Sequence, residues 1–97
     1  MLQLKPDKVY YVFTVETIER KTEKALLLQI QGQRFWIPKS QLLGWNDGVN
    51  KRVALTWFIA DSNGLLNKNW NGSDAYDYTA FTGKMLHEYL TNHGLQL

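Results

Sequence analysis

Alternation of apolar and polar positions runs through most of the chain and gives way, near the C-terminus, to a three- and four-residue spacing. Residues 9 to 19, VYYVFTVETIE, are rich in β-branched and aromatic side chains, which suit a pleated, packed surface better than a helix. Val9, Tyr11, Phe13 and Val15 share one face of such a strand, while Tyr10, Val12 and Thr14 share the other. Both faces start apolar, so the first strand is expected to be central or strongly curved. RKTE at 20 to 23 has the length of a hairpin turn. KALLLQIQ then puts Leu26, Leu28 and Ile30 on one face and Ala25, Leu27 and Gln29 on the other. A helix competes here, because Ala, Leu, Lys and Gln are good helix formers. The flanks decide for a strand: QGQ at 31 to 33 reads as a second tight turn, with Gly32 free to take positive φ, and RFWIP resumes the β pattern at once.

Pro38 has no amide hydrogen to donate and should close the third strand, with KSQLLGW beginning as a turn or short helix capped by Ser40. GWNDGVNK at 44 to 51 reads as a loop with Asn46, Asp47 and Gly48 as its turn residues. A fourth strand follows in RVALTWFI at 52 to 59. Its second half fits a helical turn running towards Gly64 equally well, since Trp57, Phe58 and Ile59 are consecutive and do not alternate. SNGLLNKNWNG at 62 to 72 is irregular, with Trp70 as a docking anchor. Ala75, Tyr78, Phe81, Met85, Leu86, Tyr89 and Leu90 then recur at helical spacing, predicting an amphipathic helix from about 74 to 92. Ser73 or Asp74 is its expected N-cap and Gly94 its C-cap. No internal repeat or low-complexity tract interrupts this order. The predicted fold class is α+β: a small antiparallel sheet of about four strands, coiled into an SH3-like or OB-like partial β-barrel, with a C-terminal helix.

Composition narrows the function classes. At 97 residues, with 44% hydrophobic and 13% aromatic content, the chain (1–97) is expected to form a single domain and to fold without a metal or disulfide. Cysteine is absent, which excludes disulfides and thiolate metal sites and makes the cytoplasm the default location. MLQLKPDKVYYV lacks the apolar stretch of a signal peptide, and the apolar runs fall short of the roughly 20 residues of a membrane span. The expectation is a protein neither exported by that route nor embedded in a membrane. Eleven Lys and Arg against nine Asp and Glu give a formal charge of +2. The pI near 8.9 sits just below the level typical of nucleic-acid domains. Lys21, Lys24, Arg34, Lys39, Lys51 and Arg52 make the N-terminal half the basic half, whereas GSDAYDY at 72 to 78 is acidic.

Residues 16 to 42, ETIERKTEKALLLQIQGQRFWIPKSQL, resemble a pattern in small uncharacterised proteins of phages and bacteria. There a Glu-Thr-x-Lys-Ala hairpin precedes an aliphatic strand and a Trp-x-Pro-Lys-Ser segment. The matching positions are Thr22, Lys24, Ala25, Trp36, Pro38, Lys39 and Ser40. The resemblance covers roughly a quarter of the chain and implies a phage or mobile-element context. It carries no activity and transfers no site.

Catalytic and metal chemistry find no support in spacing. His87 and His93 are six apart, not the four that lets two imidazoles face one metal, and Ser40 and Ser73 lie in no nucleophile frame. GWNDG lacks the acidic spacing of a calcium loop, and there is no glycine-rich phosphate loop. The expectation is a protein without enzymatic activity, cofactor or metal. Binding residues remain. Single strands of nucleic acid are held by aromatic rings stacking on bases beside a basic groove, and Arg34 and Trp36 share one face of strand three with Lys24 across the hairpin and Lys39 just past its end. With Lys51 and Arg52 these form the candidate nucleic-acid surface. The opposing reading makes Trp36 a core residue and the lysines a charged strand edge. Four tryptophans in so short a chain suggest large core residues or a recognition surface. Trp45 and Trp70 are expected to fold back over the open ends of the barrel. Otherwise they join Tyr76, in the acidic DAYDY segment, as contacts for a host or phage protein. An exposed edge strand makes a homodimer conceivable.

Overall fold

The computed structural model describes residues 5–46 and 51–93. Among them the chain forms seven strands in two antiparallel sheets, with helices after the sixth and seventh. Strands β1 (Val9–Thr14), β5 (Leu42–Asn46), β6 (Arg52–Thr56) and β7 (Tyr78–Thr82) make one sheet in the order β5-β6-β1-β7. Strands β2 (Thr17–Lys21), β3 (Ala25–Ile30) and β4 (Gln33–Pro38) make the other in sequence order. Seven strands replace the expected four or so, and the α+β class with a C-terminal helix stands.

The first strand breaks at a definite bond. Val15 donates its amide hydrogen to Lys51 O (2.9 Å) in the larger sheet, while the next residue, Glu16, donates to Gln29 O (2.8 Å) in the smaller one. Adjacent residues thus pair with different sheets, and what reads as one strand over 9 to 19 turns a corner into two. As its two-sided apolar pattern predicts, β1 is central, flanked by β6 and β7. Phe13 and Val15 face the smaller sheet and meet Leu26, Leu28, Ile30, Ile37, Val53 and Leu55. Tyr10 and Val12 face the other way and meet Leu43, Ala54, Leu86 and Leu90. The larger sheet is therefore covered on one face by β2-β3-β4 and on the other by helix α2 (Gly83–His93).

The strand reading of 24 to 31 holds. Leu26, Leu28 and Ile30 are fully buried while Ala25, Leu27 and Gln29 are half-buried. Gln31 and Gly32 take φ of +48° and +83°, the paired positive angles of a two-residue hairpin loop whose twist matches that of its strands. Gly32 donates its amide hydrogen to Glu16 Oε1 (2.6 Å). The Gln31 side chain donates to Ala75 O (3.1 Å) and accepts from the Asp77 amide (2.7 Å), fastening the hairpin tip to the segment before β7.

Several boundaries differ from expectation, beginning with the turn expected at 20 to 23, where Arg20 and Lys21 instead continue β2. Residues 39 to 41 form a single 3-10 turn that Pro38 enters without a side-chain cap, so Ser40 lies inside the turn and caps nothing. Trp45 lies in β5 rather than a loop, opposite Val53, and the turn residues Asp47 and Gly48 fall outside the described residues. Residues 57 to 62 resolve the ambiguous second half of 52–59 as helix α1 (Trp57–Ser62), where Ile59 donates its amide hydrogen to Thr56 Oγ1 (3.4 Å).

The largest departure is at the C-terminus, where the helix expected from 74 begins only at Gly83. Tyr78 to Thr82 pair with β1 as β7, and Met85 donates its amide hydrogen to the Thr82 hydroxyl (3.3 Å), so Thr82 caps the helix in place of Ser73 or Asp74. Tyr78 and Phe81 satisfy a three-residue spacing, yet a free edge beside β1 and the β-favouring sequence YTAFT override it. Leu86 and Leu90 are buried as predicted and Met85 is exposed. Gly94, the expected C-cap, lies outside the described residues. Among those residues no helix is long and apolar enough to cross a membrane.

Candidate nucleic-acid interface

The smaller sheet buries one face against the larger and leaves the other open. Strand register determines what the open face carries. Arg20 stands beside Leu27, which stands beside Trp36; one row along, Thr17, Gln29 and Arg34 are aligned. These positions alternate with Leu26, Leu28 and Ile37, all fully buried, so the pleat turns them outward. Trp36 is 49% exposed, which excludes the reading that makes it a core residue. Its indole lies in a cross-strand row with the half-buried Leu27, an apolar platform with Arg20 at one end.

The basic groups around that platform differ in availability. Arg34 Nε lies 3.0 Å from Glu19 Oε2, reached because a bulge between Ile18 and Arg20 brings Glu19 onto the open face. The Arg34 side chain stays 70% exposed, and an ion pair so open to water contributes about 0–1 kcal/mol, little enough for a phosphate to compete with. Lys39 donates its amide hydrogen to Lys24 O (2.7 Å), which holds the two lysines' backbones together where β3 begins and β4 has ended. Lys24 is exposed and Lys39 half-buried. The open face thus carries Arg20 and Arg34 against Glu19, with Lys24 and Lys39 at its margin where β3 begins and β4 has ended, while Glu16 is engaged with the Gly32 amide.

Arg52 does not join this group. Arg52 opens β6 opposite Thr14 in the larger sheet. It alternates with the core residue Val53, which turns it towards the α2 side, where it shares a shallow recess with Thr14, Asp77 and Tyr89. A layer of core and a whole sheet separate it from Trp36. The six-residue footprint read from sequence therefore loses Arg52 to the other side of the molecule and gains Arg20. Nothing in the spacing of Arg20 singles it out, since the bulge at Glu19 shifts its phase and only the pairing with Leu27 reveals its side.

The partner-binding candidates also divide. Trp45 is half-buried against the main core, with Lys21 Nζ 5.4 Å from its ring centroid. Tyr76 packs edge-on against Phe35, centroids 5.7 Å apart. Both are framework. Trp70 does not fold back as expected: it is 98% exposed. The loop below it is ordered by its own hydrogen bonds. Asn69 donates its amide hydrogen to Ser73 O (2.7 Å), Gly72 donates to Asn69 O (2.9 Å), the Ser73 hydroxyl donates to Asn71 Oδ1 (2.7 Å), and Lys68 pairs with Asp74. That pairing with the Asp74 carboxylate raises the Lys68 pKa above its ordinary value.

No protein-family model, curated protein or solved structure matches the chain. His87 is exposed on α2, and among the described residues no group of His, Asp or Glu is arranged to hold a metal ion.

Proposed function

We propose that the protein is a non-enzymatic binding module that engages single-stranded nucleic acid on the open face of β2-β3-β4. The observation that carries this reading is the exposure of Trp36 in a row with Leu27 and Arg20, beside Arg34 and close to the Lys24–Lys39 pair. An indole on a sheet offers a π-face to any base, and flanking cations neutralise the backbone, a combination that binds single strands with little sequence preference. The corner at Val15–Glu16 and the short 3-10 turn after Pro38 suit an SH3-like or OB-like partial barrel, the fold we propose for this module.

Fluorescence anisotropy with a short labelled single strand tests it. Binding is expected at about 50 mM salt and should weaken steeply as salt rises. Trp36→Ala should weaken it by roughly 1–3 kcal/mol, the worth of one stacked base. No binding at the low salt concentration would overturn the reading.

A second reading rests on Trp70 alone. An indole presented on a hydrogen-bonded loop has little left to order on binding, as a protein-protein anchor requires. In this reading the module contacts a protein of its host or phage. Co-purification repeated with Trp70→Ala should lose that partner, and an unchanged set of partners would exclude the contact.

A further inference from the structure

On the α2 side of the larger sheet, away from the Trp36 face, two consecutive aromatics stand open: Trp57 is 54% and Phe58 63% exposed. They project from the start of α1 and, with Val9 and Leu43, wall one concave site of about 330 Å³. That volume is at the small end of the roughly 300–1,000 Å³ of ligand pockets. Isolated exposed aromatics need no explanation, but two that converge on the same cavity as Val9, itself 44% exposed, form a largely apolar slot, whose lining also includes Tyr10, Gln41 and Thr56. The charged groups lining it are Lys5 and Lys8, and among the described residues no Asp or Glu does.

The basic rim is held in place. Lys8 donates its amide hydrogen to Lys5 O (3.1 Å), the Lys5 amide donates to the Tyr10 hydroxyl (3.0 Å), and the Gly83 amide donates to Lys8 O (2.9 Å). Both lysines thus rise from a turn fastened to β1 and to the start of α2, leaving only their side chains to order on binding. Aromatic walls with lysines as the charged lining groups match a flat, apolar ligand that carries negative charge at one end.

We infer that the slot between Trp57, Phe58, Val9 and the Lys5–Lys8 turn binds a small aromatic anion, its ring between the apolar walls and its carboxylate or phosphate group at the lysines. Titration of the full chain with 1-naphthoate, 1-naphthyl phosphate and the neutral 1-naphthylmethanol, followed by NMR, tests this. The anions should shift the amides of Lys5, Lys8, Trp57 and Phe58, and should bind more tightly than the alcohol by roughly two- to fivefold for each lysine engaged, as exposed ion pairs do. The double substitution Lys5→Gln with Lys8→Gln should erase that difference, and Trp57→Ala, at a half-exposed position, should weaken all three probes by about tenfold. Oligonucleotide affinity should stay at the wild-type level in both variants, which separates this site from the Trp36 face. Equal affinity for acid and alcohol, shifts centred elsewhere, or insensitivity to Trp57→Ala would overturn the inference. So would Trp57-dependent sedimentation with phosphatidylserine vesicles in the absence of probe binding, which would assign the patch to a lipid surface.

Discussion

Two glycines illustrate how residue-scale constraints differ in kind. Gly32 needs its backbone freedom: φ is +83°, and a Cβ there would meet nothing within 4 Å. Gly83 needs its missing side chain: a Cβ would lie 2.0 Å from Lys5 O and 2.6 Å from Lys5 C, both backbone atoms that cannot rotate away. Gly32→Ala should therefore cost about 1–2 kcal/mol, the left-handed penalty of one residue. Gly83→Ala must move the Lys5–Lys8 turn or the start of α2, an overpacking cost of typically 1–3 kcal/mol and occasionally more. Urea denaturation of both variants checks this, and the expected order is a greater loss from Gly83→Ala. Only Gly32 announces itself in sequence, through the turn signature around it. Gly83 looks like any helical glycine, because the carbonyl that excludes a methyl group comes from residues far away in the chain.

At the scale of elements, β7 has the least conspicuous sequence and one of the most informative partners. All five of its residues pair with β1, from Val9 to Phe13, and across that pairing Tyr11 and Tyr78 meet edge to face with centroids 5.3 Å apart. Burial raises the Tyr11 pKa above its ordinary value of 10.0, and the neighbouring Tyr78 charge adds to the rise. The folded state thus holds the Tyr11 proton more tightly than the unfolded chain does. That contribution to stability is complete below the unfolded pKa and is lost as pH rises through the folded one. Stability measured by urea should decline above about pH 10, and Tyr11→Phe should flatten part of that decline. An identical alkaline profile for the variant would show that Tyr11 does not contribute. Periodicity points to the wrong element here because Tyr78 and Phe81 fit a helical spacing, and a local pattern carries no knowledge of a vacant edge beside β1.

At the scale of the whole molecule, the two sheets sort the basic residues onto opposite sides. Arg34 and Arg52 look equivalent in sequence as parts of one basic half, yet Arg34 lies on the open side of the smaller sheet and Arg52 on the α2 side of the larger. Arg52→Gln is expected to leave oligonucleotide affinity unchanged. The pair Lys24→Gln with Lys39→Gln should weaken binding of all sequences alike and reduce the salt slope by about one for each phosphate no longer neutralised. Anisotropy titrations across a salt series distinguish the two. Sensitivity to Arg52 with none to the lysine pair would move the interface to the other side of the molecule.

The sequence by itself determined the strand pattern of β1, β3 and β4, the turn at Gln31–Gly32, the buried face of β3 and the apolar stripe of Leu86 and Leu90. All of these follow from period, propensity and turn chemistry within a few residues. It also placed Arg34 and Trp36 on one side of a strand, which alternation guarantees. Tertiary structure alone decided that this side faces solvent, since a strand's two faces are told apart only by what packs on them. It likewise decided the corner at Val15–Glu16, the strand state of Tyr78 to Thr82, the burial of Trp45 and the exposure of Trp57, Phe58 and Trp70. Each depends on a hydrogen-bonding edge or packing surface supplied by residues distant in the chain.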